Sequence, residues 1–288
     1  PAFAPLLFLL LLLPLPRAAA HAATGNGTDR EPFVVRPATG PISVDGRLDE
    51  AAWQDATPIP LAWETWPADN GPAAVATTCR LTWDERTLYV GCRADEPEPA
   101  TIRARYADRD DAFRDDYVGV QLDPFNDRRR AFAFYVNPLG VQMDLFLDDL
   151  GVSMFGGSGS EDPTWDAIWA SAGRLTPAGY EVEMGIPFTS LRFPQGNGVQ
   201  TWGVSFVRVR PRDFRYQLAS QPKDRDRSCT VCQFSLVTGL TGLTPGHAIE
   251  LDPTITAQRT DRRPEPTAHG LETGSVQTDL GLTATWGV

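Results

Sequence analysis

A chain of 288 residues, 42% of them hydrophobic, holds enough apolar side chains for one large domain and a further piece, and 25 Gly with 25 Pro suit many turns between short strands. The net charge of −11 excludes a nucleic-acid partner, which needs basic patches. Only three His occur, and there is no nucleophile elbow, phosphate loop or dinucleotide fingerprint, so catalysis has no evident machinery in this segment.

Residues Leu6 to Leu15 form a short apolar block followed by small residues, and Ala20-His21-Ala22 fits an A-x-A cleavage site. Residues 1–23 therefore read as a signal peptide. The alternative, a membrane span, needs about 20 apolar residues and would not carry Pro14 and Pro16. No Cys stands near the cleavage site to take a lipid. Export places the protein outside the cytoplasm, in the periplasm or outer membrane, where disulfides form.

Thr24 to Glu31 is polar and expected to be flexible, and Phe33-Val34-Val35 reads as a short strand. Asp45-Gly46 predicts a tight turn. Asp49 is placed to cap a short helix with Glu50 in its first turn and Leu48, Ala52 and Trp53 on one face. Leu61 to Trp66 is a short aromatic strand or loop. Next, VATTCRLTW and LYVGC flank Asp84 to Thr87. A four-residue loop there sets Trp83 opposite Leu88, Leu81 opposite Val90 and Cys79 opposite Cys92, close enough for a disulfide. The alternative is two free thiols in the core.

Pro97 to Tyr106 reads as a loop with one helical turn, and Asp108 to Asp116 is strongly acidic. The organising stretch is Asp115 to Asp144. Val118, Val120 and Leu122 alternate with Tyr117, Gly119 and Gln121; after a turn at Asp123 to Asp127, Phe132, Phe134 and Val136 alternate with Ala131, Ala133 and Tyr135. Asn137-Pro138-Leu139-Gly140 turns the chain into a third strand, Val141 to Leu147, which makes an antiparallel meander.

Beyond it, Gly151 to Ser160 reads as a Gly/Ser loop. Trp165 to Leu175 and Tyr180 to Ile186 flank a hairpin turn at Thr176 to Gly179, Pro187 to Phe193 is a helical turn, and Thr201 to Arg210 is a strand. Asp213 to Arg227 is charged and loop-like. Cys229-Thr-Val-Cys232 reads as a structural disulfide in preference to a redox pair or half a zinc site, since no second Cys pair or nearby His completes a zinc set. Phe234 to Leu243 and Ala248 to Ala257 read as closing strands, Arg259 to Gly274 as a linker, and Thr278 to Val288 as a strand without a partner. Roughly nine to eleven strands and few helices predict an all-β protein, an antiparallel β-sandwich over residues 33–245. Residues 246–288 read as a linker and the start of a further β domain.

Sugar binding needs flat aromatic faces and polar groups around them. Trp63, Trp66, Trp165, Trp169 and Phe113 are the candidates, whereas Trp53, Trp83 and Trp202 alternate with apolar residues and belong to the core. Calcium needs clustered oxygen ligands; Asp108, Asp110, Asp111, Asp115 and Asp116 offer them, against the alternative of a solvated acidic loop. A carboxylate pair for glycoside hydrolysis has no specificity among 37 acidic residues.

The segments VDGRLDEAAW, LTWDERTLYVGCRAD, DDYVGVQLDP with YVNPLG, and GYEVEMGIPFTSLRF before WGVSFVRVRP together resemble the carbohydrate-binding module family 9 domain, over about residues 33–240. The resemblance implies a β-sandwich with bound calcium and a sugar held between two Trp. Phe113 stands where the family has its first Trp. The region of the second, Asp224 to Cys232, contains none, and Gly119 replaces a glutamate. The tail, HAIELDPTITAQ and TDLGLTATWGV, resembles the junction at which a large group of bacterial envelope proteins enters an outer-membrane β-barrel. The expectation is a non-catalytic glycan-binding module tied to the outer membrane and to carbohydrate catabolism. The alternatives are an interaction or gating module for the barrel, without sugar binding, and a segment of a hydrolase acting on O-glycosyl bonds.

Overall fold

Alternating apolar side chains decide the architecture, because each strand then has one face that must leave water. The computed structural model describes residues 31–152, 158–196, 198–245, 249–263 and 270–286; the expected signal peptide lies outside them. The elements in chain order are β1 (Phe33–Val34), α1 (Ala51–Asp55), β2 (Thr57–Pro60), β3 (Trp63–Trp66), β4 (Gly71–Pro72), β5 (Thr77–Trp83), β6 (Thr87–Asp95), β7 (Tyr117–Asp123), β8 (Arg130–Val136), β9 (Gln142–Val152), β10 (Ser158–Asp162), β11 (Ala170–Thr176), β12 (Gly179–Pro187), β13 (Gln200–Pro211), β14 (Arg215–Ala219), β15 (Ser235–Leu240), β16 (Ile249–Arg259) and β17 (Val276–Trp286). Single 3-10 turns stand at Pro99–Thr101, Phe188–Ser190 and Val231–Gln233.

Two sheets form an antiparallel β-sandwich. The larger runs β10-β9-β8-β7-β13-β14-β3-β4, and the smaller β11-β12-β6-β5-β2. Strand β13 is shared along its length: Gln200 to Val204 pair with β15, and Val207 to Pro211 with β14. Val120, Phe134 and Phe206 of the large sheet meet Leu81, Val90 and Met184 of the small one in the core. Each such side chain, fully removed from water, contributes about 1.5–3 kcal/mol. The β5–β6 hairpin has the expected register, Trp83 with Leu88, Leu81 with Val90 and Cys79 with Cys92, and the two buried cysteines are joined.

Four local expectations are corrected. Helix α1 is preceded by Glu50, not Asp49, and without a side-chain cap; Glu50 instead accepts the Ser43 N–H. Trp165 to Trp169 is not a strand, because Ala167 donates its N–H to Asp144 and its carbonyl accepts from Arg109, side chains rather than a neighbouring strand. The expected Gly/Ser loop is partly β9 and β10. The charged stretch 213–227 contains β14, whose buried Leu218 sits among polar neighbours.

The last strands differ more. The stretch read as a closing strand, β16, pairs with β17 in a separate two-stranded sheet, so the tail does have a partner. A bridge between Arg262 and Glu272 falls inside the expected linker. Among the described residues, no helix is long and apolar enough to cross a membrane.

Candidate functional site

The outward face of the large sheet follows from its pairing. Tyr135, Gly119, Val207, Ala219 and Trp63 stand side by side across β8, β7, β13, β14 and β3, and Tyr117, Val209, Gln217 and Trp66 form the next row. Between β14 and β3 the register shifts: Gln217 faces Trp66, but Leu218 faces Glu64. Thr65 is thus an extra residue, a bulge. In a regular strand, residues three apart point to opposite faces; here the bulge turns Trp63 and Trp66 to the same one. Trp63 is 38% and Trp66 54% exposed, while Trp53, Trp83, Trp169 and Trp202 are buried. The Arg225 guanidinium lies 5.8 Å from the Trp66 ring and is held in place by the carbonyls of Thr65 and Ala68 at 3.0 and 2.8 Å. The Trp66-Pro67 bond is cis.

Phe113 lies at the other end of this face. Its ring meets Tyr117 and Tyr135 edge-on at 5.8 and 6.2 Å. Gln121 donates to the Tyr135 hydroxyl at 2.6 Å and Arg215 to the Tyr117 hydroxyl at 2.7 Å, and burial pushes both phenols up. A side chain at Gly119 would run into the Tyr135 ring and the Phe134 carbonyl. The tyrosine of the neighbouring strand covers this glycine, so no glutamate fits there.

A strap crosses the same face. Asn70 exchanges hydrogen bonds with the backbone of Lys223 at one end, and Asp149 accepts the N–H groups of Thr230 and Val231 at the other. The Cys229–Cys232 disulfide clips the strap, and Val231 is buried beneath it against the sheet.

Trp165 does not join this surface. Its ring packs on Phe132 and Phe134, the inward residues of β8, at 4.9 and 5.7 Å. There it lines a cavity of about 340 Å³ with Phe125, Phe132, Phe146, Arg130, Asp162 and Arg192. Sequence reasoning missed this pocket, since it joins the β7–β8 turn, β9 and two distant loops.

The expected calcium ligands do not converge. Asp108 and Asp111 are exposed, and buried Asp115 is paired with Arg105 and Asn137. Asp110 does gather with Asp144 and Asp166, whose oxygens lie within 4.8 Å of one another. Arg109 stands among them, bonded to both oxygens of buried Asp144 and 3.1 Å from Asp166. Burial and then the Asp144 charge raise the Asp110 carboxyl above its ordinary range. Because the guanidinium already uses these oxygens, the set does not fit a calcium ion as it stands.

Two further charged clusters hold the sandwich together. Glu96, buried, accepts from Arg210 at 2.6 Å and Arg212 at 2.9 Å, and Asp116 accepts from Arg212 at 2.7 Å. Burial works against the Glu96 charge, but these arginines more than offset it and bring its pKa down to about 2. The carboxylate of Glu183 receives the backbone N–H groups of Asp45, Gly46 and Arg47 and the indole N–H of Trp53. The VDGR motif is therefore a structural clasp.

The model of the carbohydrate family 9 binding domain-like family matches residues 44–208. Among solved structures, a proposed carbohydrate-binding protein from Bacteroides uniformis ATCC 8492 is 17% identical, with 72% of this chain and 97% of that one covered and a TM-score of 0.54. A family 9 module from Caldicellulosiruptor kristjanssonii in complex with cellotriose is 17% identical over 75% of this chain and 95% of that one, at a TM-score of 0.44. The glucose complex is 15% identical over 74% and 96%, at 0.45. Among curated proteins none matches.

Proposed function

The chain belongs to the carbohydrate family 9 binding domain-like family, and on that footing we propose that residues 33–245 are a non-catalytic glycan-binding module of the bacterial cell envelope. The observation that carries this is the Thr65 bulge, which brings two exposed indoles to one face. Indole faces accept the C–H groups of a pyranose, and Gln217 beside Trp66 supplies a donor and an acceptor for hydroxyls. An extended face of this kind suits a polysaccharide chain. The test is titration of a panel of soluble polysaccharides: binding that Trp66→Ala removes supports the reading, and no binding by any glycan overturns it.

The envelope location rests on the β16–β17 hairpin. Its register pairs Pro253 with Leu282 and Ile255 with Leu280, while Thr254 pairs with Gly281 and Thr256 with Asp279. Ile255, Leu280 and Leu282 are 75%, 81% and 68% exposed. One apolar and one polar face on strands of 11 residues is the pattern of transmembrane β-strands, which need about 9–11. We read the hairpin as the first strands of an outer-membrane barrel, behind a module exported by its signal peptide. Fractionation of the natural full-length protein tests this: recovery in the outer membrane supports it, and recovery in the soluble periplasm contradicts it.

A second reading, a module that docks on or gates such a barrel without binding sugar, is favoured by the closed surface around Gly119. There Tyr135 fills the space that the family resemblance assigns to a ligand.

A further inference from the structure

We propose that the cavity beside Trp165 is a second saccharide site, selective for a sugar that carries a carboxylate, such as a hexuronate at the end of a glycan. The proposal rests on the glycan-binding reading but uses none of the residues of the Trp63–Trp66 face. At about 340 Å³ the cavity falls at the small end of ligand pockets, which run from about 300 to 1,000 Å³, and so takes one or two sugar rings. Its walls are aromatic: Trp165 lies at 4.9 Å from Phe132 with the rings tilted by 36°, and Phe132 lies 5.5 Å from Phe146. These side chains come from the inward faces of β8 and β9 and from the loop before β11, all fixed by the core.

The polar groups set the ligand's charge. Arg130 is committed: it bonds to Asp127 and lies 5.6 Å over the Phe125 ring. Arg192 is exposed on the rim and, among the described residues, has no partner. A free guanidinium presents a planar fork of donors, the shape that a carboxylate fills with two parallel hydrogen bonds. Asp162 faces the same cavity with one oxygen occupied by the N–H and hydroxyl of Thr164, which hold its carboxyl below the usual range. Its other oxygen is left to accept a sugar hydroxyl. An aromatic wall, a donor fork and a hydroxyl acceptor together fit an acidic sugar better than a neutral one.

The experiment is calorimetric titration of the full chain with D-glucuronate and, separately, D-glucose, for wild type and for Arg192→Ala, Trp165→Leu and Trp66→Ala. Glucuronate is expected to bind about tenfold or more tighter than glucose, and added salt to narrow the gap. R192A, on an exposed side chain that the fold does not need, is expected to remove about tenfold of the glucuronate affinity with no change in melting temperature, and W165L to lower it as well. W66A is expected to leave glucuronate binding intact while removing polysaccharide binding. Equal affinity for the two sugars, no glucuronate binding, or an R192A protein that binds glucuronate as wild type does, overturns the site. Loss of glucuronate binding in W66A also overturns it, by moving the sugar to the other face, and leaves the glycan-binding reading standing.

Discussion

Trp53 donates its indole N–H to Oε1 of Glu183 across 2.8 Å, in the interior, from a helix to a strand 130 residues away. The other oxygen, Oε2, takes the N–H groups of Gly46 at 2.7 Å, Asp45 at 2.9 Å and Arg47 at 3.2 Å. One carboxylate thus closes the Asp45-Gly46 turn, where Gly46 has φ +86, onto the small sheet. A carboxylate is an acceptor at both oxygens, which is what four N–H donors require.

Glu183→Gln replaces one acceptor oxygen by an amide NH2, which can only donate and so faces N–H donors without pairing. The expected loss is about 2–4 kcal/mol in chemical denaturation, as for a buried network broken at one member. A change below about half a kcal/mol would show that the clasp is dispensable.

Acid should weaken the fold through Glu96. Its folded pKa of about 2 lies below the ordinary 4.5, so the stability it contributes is present above pH 4.5 and is lost as the pH falls through 2. The full drop is on the order of 3 kcal/mol. Glu96→Gln should lower stability at neutral pH and flatten this arm of the curve. An unchanged slope between pH 4.5 and 2 would place the acid sensitivity elsewhere.

Arg109 serves as a built-in cation for Asp110, Asp144 and Asp166. Neither calcium nor a chelator is therefore expected to move the melting temperature of the wild-type chain. Arg109→Ala leaves three carboxylates facing one another; it should lower the melting temperature, and millimolar calcium should restore part of the loss. A wild-type melting temperature that rises with calcium would contradict this.

Much of the sandwich was legible because its signals are local. Alternation together with turn formers set the β5–β6 register, and hence the partner of Cys79, without any distant information. The same alternation placed Val118, Phe134 and Trp202 in the core. The Thr65 bulge was not legible: Trp63 and Trp66 look like residues of opposite faces until β14 is laid beside them, and β14 itself is masked by the charges around Leu218. The acidic cluster failed for a similar reason. Neighbours in sequence, Asp108 and Asp111, point to solvent, while Asp144 and Asp166 arrive from β9 and a loop to meet Asp110. The Trp165 pocket is likewise a product of tertiary structure, assembled from four separate segments.

Trp63 and Trp66 are proposed to act together as one sugar-binding surface. Affinity electrophoresis of the wild type and of the Trp63→Ala/Trp66→Ala double variant through gels containing a polysaccharide the wild type binds separates this surface from any other site. Trp63 is 38% and Trp66 54% exposed, so the variant is expected to stay folded at a somewhat lower melting temperature, and the gels are run well below it. The wild type is expected to be retarded and the variant to migrate freely. A double variant retarded as strongly as the wild type would contradict it.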